Sequence, residues 1–83
     1  MEKILINLYV PAIQTGYDVF VPAEVSIRDL MPLLLDGVTD LSGGKYRTSE
    51  REVLCLQNPD MLLSASLSLS DYKIRNGDRI ILL

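Results

Sequence analysis

The chain has 83 residues and a formal net charge of −3, with 11 acidic and 8 basic residues spread along it. This length suffices for one small domain, expected to span residues 1–83, and the lack of a basic cluster argues against nucleic acid as a partner. With no histidine and one cysteine, Cys55, the chain cannot form an internal disulfide. We expect no histidine-dependent catalysis, no metal and no cofactor.

The N-terminal residues lack the form of a targeting or membrane-spanning segment. Met1-Glu2-Lys3 is followed by an apolar stretch that is interrupted at Asn7, which fits neither a secretory signal nor a bilayer span. We therefore expect a cytoplasmic protein without direct membrane insertion.

Residues 3–22 predict a β-hairpin. From Lys3 to Val10 the apolar residues at even positions are expected to face inward, and from Tyr17 to Val21 those at odd positions, which is the period of half-buried strands. The stretch from Pro11 to Gly16 separates the two strands and is typical of a turn.

The stretch from Ser26 to about Val38 predicts an amphipathic helix on which the core is built. Six apolar residues at helical spacing form one stripe: Ile27, Leu30, Met31, Leu34, Leu35 and Val38. Ser26 and Asp29 have the spacing of a capping box with Asp in place of Glu. Pro32 is expected on the polar face, where the bend that it causes would curve the helix around the core.

The middle of the chain predicts a long loop and a strand. Residues 39–51 are rich in Thr, Ser, Gly and charge, and the pair Gly43-Gly44 is a strong breaker of regular structure. The stretch from Glu52 to Gln57 then alternates as a strand does, and turn residues at 58–60 end it.

The C-terminal third predicts two strands separated by irregular structure. Met61 to Leu63 fits a short edge strand, whereas the serine-rich stretch from Ser64 to Ser70 favours irregular structure. Asn76-Gly77 predicts a tight turn before a terminal strand from Asp78 to Leu83. Because one helix covers only one face of a sheet, this order of elements favours an α+β, grasp-like layout with a mixed four- to five-stranded sheet.

Three stretches of the sequence resemble ubiquitin-like proteins. They are the hairpin with Tyr17-Asp18-Val19 and Val21-Pro22, the helix start Ile27-Arg28-Asp29-Leu30, and the closing segment from Asp71-Tyr72 to Asn76-Gly77-Asp78. Together they are most similar to the YukD/EsaB family, ubiquitin-like proteins associated with type VII secretion in Gram-positive bacteria. The resemblance implies a ubiquitin-like β-grasp fold and a non-enzymatic adaptor that binds other proteins, with membrane components of the secretion apparatus among the expected partners.

Some residues are of types that occur in catalytic or ligand-binding sites, but their surroundings favour structural roles. Gly43-Gly44-Lys45 lacks the earlier glycine and the following Ser or Thr of a phosphate-binding loop, so a connector is expected. The acidic pairs Asp36 with Asp40 and Glu50 with Glu52 lie in polar stretches, where solvated charge is expected.

Cys55 and Tyr72 are also expected to be structural. Cys55 has no histidine or evident helix start beside it that would lower its pKa, so an ordinary strand residue is expected. Tyr72 is expected to pack in a turn and to hydrogen-bond to nearby backbone.

The sequence at Leu82-Leu83 lacks the terminal Gly-Gly tail through which ubiquitin-like modifiers and sulfur carriers are activated. We therefore expect a protein that is not conjugated and that acts by binding. The alternatives are a modifier or sulfur carrier processed from a longer precursor, an interaction domain of another bacterial complex, and a domain of a larger membrane protein.

Strand alternation also predicts a protein-binding surface on the sheet face away from the helix. If residues such as Ile6, Leu54 and Ile80 face the helix, the apolar residues of opposite phase point to the other side of the sheet. These candidate residues are Leu5, Tyr9, Phe20, Val53, Cys55 and Ile81.

The likeness to ubiquitin-like sheets implies that these residues form one patch. It places the terminal strand between the first and third strands, so that Leu5, Ile81 and Val53 or Cys55 become cross-strand neighbours. Tyr9 and Phe20 would extend the surface across the hairpin. A contiguous apolar patch on a small protein usually marks an interface, either with another protein or with a second copy in a homodimer.

Overall fold

The computed structural model describes residues 3–57 and 60–83, which form a five-stranded sheet with one α-helix on one face. The strands are β1 (Lys3–Val10), β2 (Thr15–Pro22), β3 (Leu54–Gln57), β4 (Asp60–Leu62) and β5 (Arg79–Leu82), and the helix is α1 (Ile27–Leu41). Their order in the sheet is β2-β1-β5-β3-β4, with β1 and β5 parallel and the other neighbouring pairs antiparallel. The predicted α+β, grasp-like layout is confirmed.

β1 and β2 form the predicted hairpin. The even-numbered residues of β1 are buried and its odd-numbered residues are partly or fully exposed, so the predicted facing is confirmed. A short 3-10 turn, Pro11–Ile13, joins the strands, and Gln14 completes it with a φ of 51° and an N–H bond to the Pro11 carbonyl. Because this turn is tight, β2 begins at Thr15, before the predicted strand.

α1 presents one apolar stripe to the sheet, as predicted. Its buried residues are Ile27, Leu30, Leu34 and Val38, while Met31 and Leu35 pack at the margin of the core. The Ser26 hydroxyl accepts the Asp29 N–H at 3.2 Å, as the capping spacing predicts. Pro32 lies within the helix on its exposed side, where its ring does not disturb the core.

The helix ends where two glycines adopt left-handed backbone. Gly43 and Gly44 have φ angles of 65° and 85°, and their N–H groups donate to the carbonyls of Asp40 and Thr39. The predicted end near Val38 was too early, because residues 39–41 contain nothing that stops a helix. The double glycine acts as the breaker that the sequence predicts.

The serine-rich segment, residues 64–70, lies against the start of α1. The carbonyls of Leu67 and Ala65 accept the N–H groups of Ile27 and Arg28 at 2.8 and 2.9 Å. These N–H groups belong to the first turn of α1, where an N–H group has no acceptor within the helix itself. The segment is irregular, as predicted, because these carbonyls bond to the helix start and not to a neighbouring strand.

The remaining strands differ slightly from their predicted bounds. β3 begins at Leu54 and not at Glu52, although Val53 exchanges two backbone hydrogen bonds with Leu83 at 2.9 and 3.0 Å. β4 is displaced by one residue from the predicted strand, and β5 lies within the predicted range 78–83. Residues 58 and 59 of the predicted turn lie outside the described residues.

The Asn76-Gly77 turn aligns β5 with β1. Gly77 has a φ of 90° and donates its N–H to the Leu5 carbonyl at 2.8 Å. The Leu5 N–H in turn donates to Asn76 Oδ1 at 2.7 Å. The predicted tight turn is confirmed, and its bonds to Leu5 set the position of β5 along β1.

Glu52 organises the loop between α1 and β3. Its Oε2 atom accepts hydrogen bonds from the Tyr46 hydroxyl at 2.8 Å, the Thr48 hydroxyl at 2.7 Å and the Ser49 N–H at 2.6 Å. Partial burial would raise the pKa of Glu52, but these hydrogen bonds outweigh it and lower the pKa to about 2. Burial and the bond to Glu52 raise the pKa of Tyr46 to about 12. Glu52 is therefore a loop anchor and not the simple solvated charge that the sequence predicts.

Leu34→Ala is expected to lower the free energy of unfolding by about 2 to 5 kcal/mol, because Leu34 is buried between the helix and the sheet. Asp36→Ala, on the exposed side of the same helix, is expected to change it by less than about 0.5 kcal/mol. Urea denaturation followed by circular dichroism measures both changes. Equal effects would show that the helix faces are wrongly assigned.

Glu52→Gln is expected to flatten the loss of stability in acid. The fold lowers the pKa of Glu52 from its ordinary 4.5 to about 2, so the stabilisation is complete above about pH 4.5 and is lost as the pH falls toward 2. At pH 7 we expect the variant to be less stable by about 1 kcal/mol. Urea unfolding at a series of pH values tests this, with the exposed Glu50→Gln as control. Parallel pH profiles for Glu52→Gln and the native protein would contradict it.

Candidate protein-binding surface

The sheet face away from α1 carries one row of apolar side chains across four strands. The register places Tyr9 of β1 opposite Ile81 of β5, Ile81 opposite Cys55 of β3, and Cys55 opposite Leu62 of β4. Directly opposed residues on one face of a sheet are close enough to pack together. The row therefore forms a continuous strip from β1 to the β4 edge.

Two further apolar residues widen this strip at one side. Val53 and Leu83 pair through their backbones next to the row and are 39% and 58% exposed. Leu62 is 65% exposed, and a hollow of about 400 Å³ lies among Cys55, Leu62 and Leu83. We call this set the outer apolar surface; it consists of Tyr9, Val53, Cys55, Leu62, Ile81 and Leu83.

A polar strip borders the outer apolar surface on its other side. Asn7 lies opposite both Asp18 and Arg79 in the sheet. Its side chain donates to Asp18 Oδ1 at 3.1 Å and accepts from Arg79 Nε at 2.9 Å. The Arg79 guanidinium carbon also lies 5.1 Å from the centre of the Tyr9 ring, within range of a cation–π contact. Three hydrogen-bonded side chains thus divide the sheet face.

This strip corrects the prediction of one contiguous patch. Leu5 and Phe20 lie opposite each other beyond Asn7, so Leu5 is not a neighbour of Ile81. The prediction that Ile81 and Cys55 are cross-strand neighbours is confirmed. The role of all six predicted residues in protein binding stays a prediction.

The outer apolar surface includes two residues that sequence analysis missed. The sequence predicts Leu62 only as part of a possible edge strand, with no facing, and Leu83 only as part of the terminal strand. Both are exposed; Leu62 extends the row beyond Cys55, and Leu83 lies beside the row, paired with Val53. The sequence gives no facing for Leu62, because Met61, Leu62 and Leu63 are all apolar, and only the burial of Leu63 shows that Leu62 points outward.

The electrostatics of Cys55 do not favour a reactive thiol. Burial and then the charge of Asp60 raise the pKa of Cys55. The side chain is therefore protonated at neutral pH and contributes apolar surface. Tyr72 takes the predicted structural role, because its hydroxyl oxygen accepts the Ser64 N–H at 2.7 Å.

The other polar groups that the sequence singles out lie on α1 or just after it. Asp36 and Asp40 are exposed on α1, and Lys45 follows the glycines that end the helix. Among residues 3–57 and 60–83, no three His, Cys, Asp or Glu side chains converge as a metal site would require. In the same residues, no helix has both the length and the apolar character needed to cross a bilayer.

The chain has the ubiquitin-like β-grasp fold. Its structure aligns over the whole chain with the EccD5 ubiquitin-like domain from Mycobacterium xenopi, at a TM-score of 0.84 and 21% identity, covering 94% of that chain. It aligns equally completely with the ubiquitin-like domain of the Mycobacterium tuberculosis type VII secretion system protein ECCD1, at a TM-score of 0.80 and 13% identity, covering 99% of that chain. At these identities the likeness establishes the fold.

Within this class, sequence comparison identifies the family. The model of YukD, described as a protein of the WXG100 protein secretion system (Wss), matches residues 5–82. The chain therefore belongs to the YukD family, and the predicted resemblance is confirmed. A search of curated proteins by sequence found no match.

A larger assembly also contains this fold. The whole chain aligns with 21% of one chain of the MycP5-free ESX-5 inner membrane complex in State II, at a TM-score of 0.72 and 17% identity. In that complex the ubiquitin-like fold is thus one part of a longer polypeptide.

Proposed function

We propose that this protein is a non-enzymatic adaptor of a Gram-positive type VII secretion system. It acts in the cytoplasm by binding other proteins non-covalently through the outer apolar surface. Membership of the YukD family supports the pathway, since the family model describes a protein of the WXG100 secretion system. The exposed apolar row supports the mode of action.

The outer apolar surface is the observation that carries this proposal. Leu62 and Leu83 are more than half exposed, and both adjoin the row that contains Ile81 and Cys55. These four side chains lie on the sheet face away from the helix, so they do not cover it. Exposing such a group to water is unfavourable, and burying it against a partner recovers about 25 cal/mol per Å² of apolar area. Contiguous apolar surface on a small protein usually marks an interface for this reason.

Membrane components of the secretion apparatus are the partners that we propose. A chain of the ESX-5 inner membrane complex contains a domain of this fold, which supports a role for the fold beside membrane proteins. We expect this chain to join such an assembly through its outer apolar surface. The strip of Asp18, Asn7 and Arg79 would border the interface and fix its orientation by polar contacts.

Leu62→Asp and Ile81→Asp are each expected to reduce the capture of partner proteins at least about tenfold, because a charge would be buried in the interface. Affinity purification from native cells, with and without mild crosslinking, measures capture by mass spectrometry. Leu62 is 65% exposed, so its variant is expected to stay folded by circular dichroism.

Arg28→Asp is the matched control for these two variants, because Arg28 is exposed on the helix and lies away from the sheet face. It is expected to leave partner capture unchanged. If capture survives both sheet variants and is lost in Arg28→Asp, the binding surface lies on the helix side and the proposal is wrong.

Non-covalent action predicts a single low-mass band on denaturing, reducing immunoblots of native cells. Intact mass measurement of the same protein is expected to show no covalent adduct. A ladder of higher-mass bands that survives reduction would instead support a ubiquitin-like modifier. The Leu62→Asp result and this blot are independent, since a modifier also uses binding surfaces.

A further inference from the structure

Arg79 borders the outer apolar surface and is held in place by two of its neighbours. Its Nε atom donates to Asn7 Oδ1 at 2.9 Å, and its guanidinium carbon lies 5.1 Å from the centre of the Tyr9 ring. Asn7 is itself held, because its side chain donates to Asp18 Oδ1 at 3.1 Å. These contacts orient the guanidinium before a partner arrives, which lowers the entropic cost of binding.

The bond to Asn7 uses only one of the five N–H donors of the Arg79 guanidinium. Within residues 3–57 and 60–83, Asn7 is the only hydrogen-bond partner of the Arg79 side chain. Arg79 is exposed, so the four N–H groups on Nη1 and Nη2 face solvent. These two nitrogens form a planar fork that matches the two oxygens of a carboxylate.

Arg79 lies at the centre of a polar row that crosses the outer face of the sheet. The pairing of β3 with β5, continued by one residue, brings Gln57 next to Arg79. Arg79 is the only basic member of the row. From β2 to β4 the row consists of Asp18, Asn7, Arg79, Gln57 and Asp60.

The acidic residues near Arg79 leave room for one further negative charge. Asp18 and Asp60 each lie two strands away from β5, which is about 10 Å at a strand spacing of about 4.8 Å. Salt at about 0.1 M screens exposed charges over this distance. Asp78 accepts the Arg75 N–H at 2.8 Å and so belongs to the turn before β5. A carboxylate at the fork is therefore favoured over a phosphate, whose second charge the two distant aspartates would also repel.

The apolar row lies directly beside the fork. Ile81 is two residues after Arg79 on the same strand and so on the same face of the sheet, and Tyr9 lies opposite Ile81. An apolar group attached to a carboxylate at the fork would therefore contact Ile81 and Tyr9. Arg and Tyr are also the residue types that most often dominate the energy of protein interfaces.

We propose that the outer apolar surface binds a segment of a partner protein in which an Asp or Glu residue adjoins apolar residues. The carboxylate of that residue pairs with Nη1 and Nη2 of Arg79, and the apolar residues cover Ile81 and Tyr9. This inference rests on the proposed function, because it names the chemistry of the partner at the same surface.

Two small molecules test the recognition of a carboxylate. The probes are 3-phenylpropionate and its neutral amide, 3-phenylpropionamide, each titrated at low salt into the isotope-labelled full chain and followed by NMR spectra. The carboxylate is expected to give saturable shifts of the Arg79 Nε–H signal and of the backbone amides of Ile81 and Tyr9. The neutral amide is expected to bind at least about fivefold more weakly, because it lacks the charge. Equal binding of the two probes, or no saturable shift, would overturn the proposal.

A third probe, phenyl phosphate, separates a carboxylate from other anions. It is expected to bind no more tightly than 3-phenylpropionate, because Asp18 and Asp60 repel its second charge. Tighter binding of phenyl phosphate at Arg79 would assign the fork to a phosphorylated ligand, and the proposal would be wrong.

Arg79→Gln removes the fork and its charge from an exposed position, so the variant is expected to stay folded by circular dichroism. We expect it to bind 3-phenylpropionate at least about fivefold more weakly than the native protein does. Arg75→Gln is the matched control, because Arg75 is also exposed and it is the backbone N–H of Arg75 that bonds to Asp78. This control is expected to bind as the native protein does. Equal losses in the two variants would indicate a general effect of net charge and contradict the proposal.

Partner capture separates failure of this inference from failure of the proposed function. Arg79→Gln is expected to reduce, at least about threefold, the capture of the proteins that Leu62→Asp loses. Loss of capture in Leu62→Asp with full capture in Arg79→Gln would overturn this inference and leave the proposed function standing. Full capture in both variants would contradict the proposed function, whereas the probe titrations would still decide the chemistry at Arg79.

Discussion

One helix can cover only one face of a sheet, and most features of this protein follow from that constraint. Each strand must present apolar side chains to α1 at alternate positions, and the residues between them face water or a partner. In the part of the chain described here, α1 is the only α-helix. Apolar residues such as Leu62 and Ile81 on the second face are therefore not explained by the core.

The facing of residues could be predicted from the sequence, but their lateral positions could not. Side-chain direction alternates along a strand, so Tyr9 and Ile81 were correctly expected to point away from the helix. The offset between β1 and β5 depends instead on bonds from the Asn76-Gly77 turn to Leu5, far away in the sequence. This offset places Asn7 among the apolar residues and divides the expected patch. The Glu52 anchor was also missed, because a cluster of loop hydrogen bonds has no sequence period.

The polar strip divides the apolar residues of the outer sheet face into two groups. On one side of Asn7 and Arg79 the outer apolar surface crosses β1, β5, β3 and β4, with Arg79 stacked over the ring of Tyr9. On the other side of the strip Leu5 and Phe20 lie opposite each other on β1 and β2. The hydrogen bonds from Asn7 to Asp18 and from Arg79 to Asn7 therefore keep the two groups apart.

β5 is the last of the five strands in the sequence, yet it lies between β1 and β3 in the sheet. The side-chain bond from Arg79 to Asn7 joins residues 72 positions apart. During synthesis on the ribosome, the hairpin and α1 emerge long before the strand that unites them with β3. The sheet can close only after residues 79–82 have left the exit tunnel, so folding is completed after translation of this region and depends on contacts of high sequence separation.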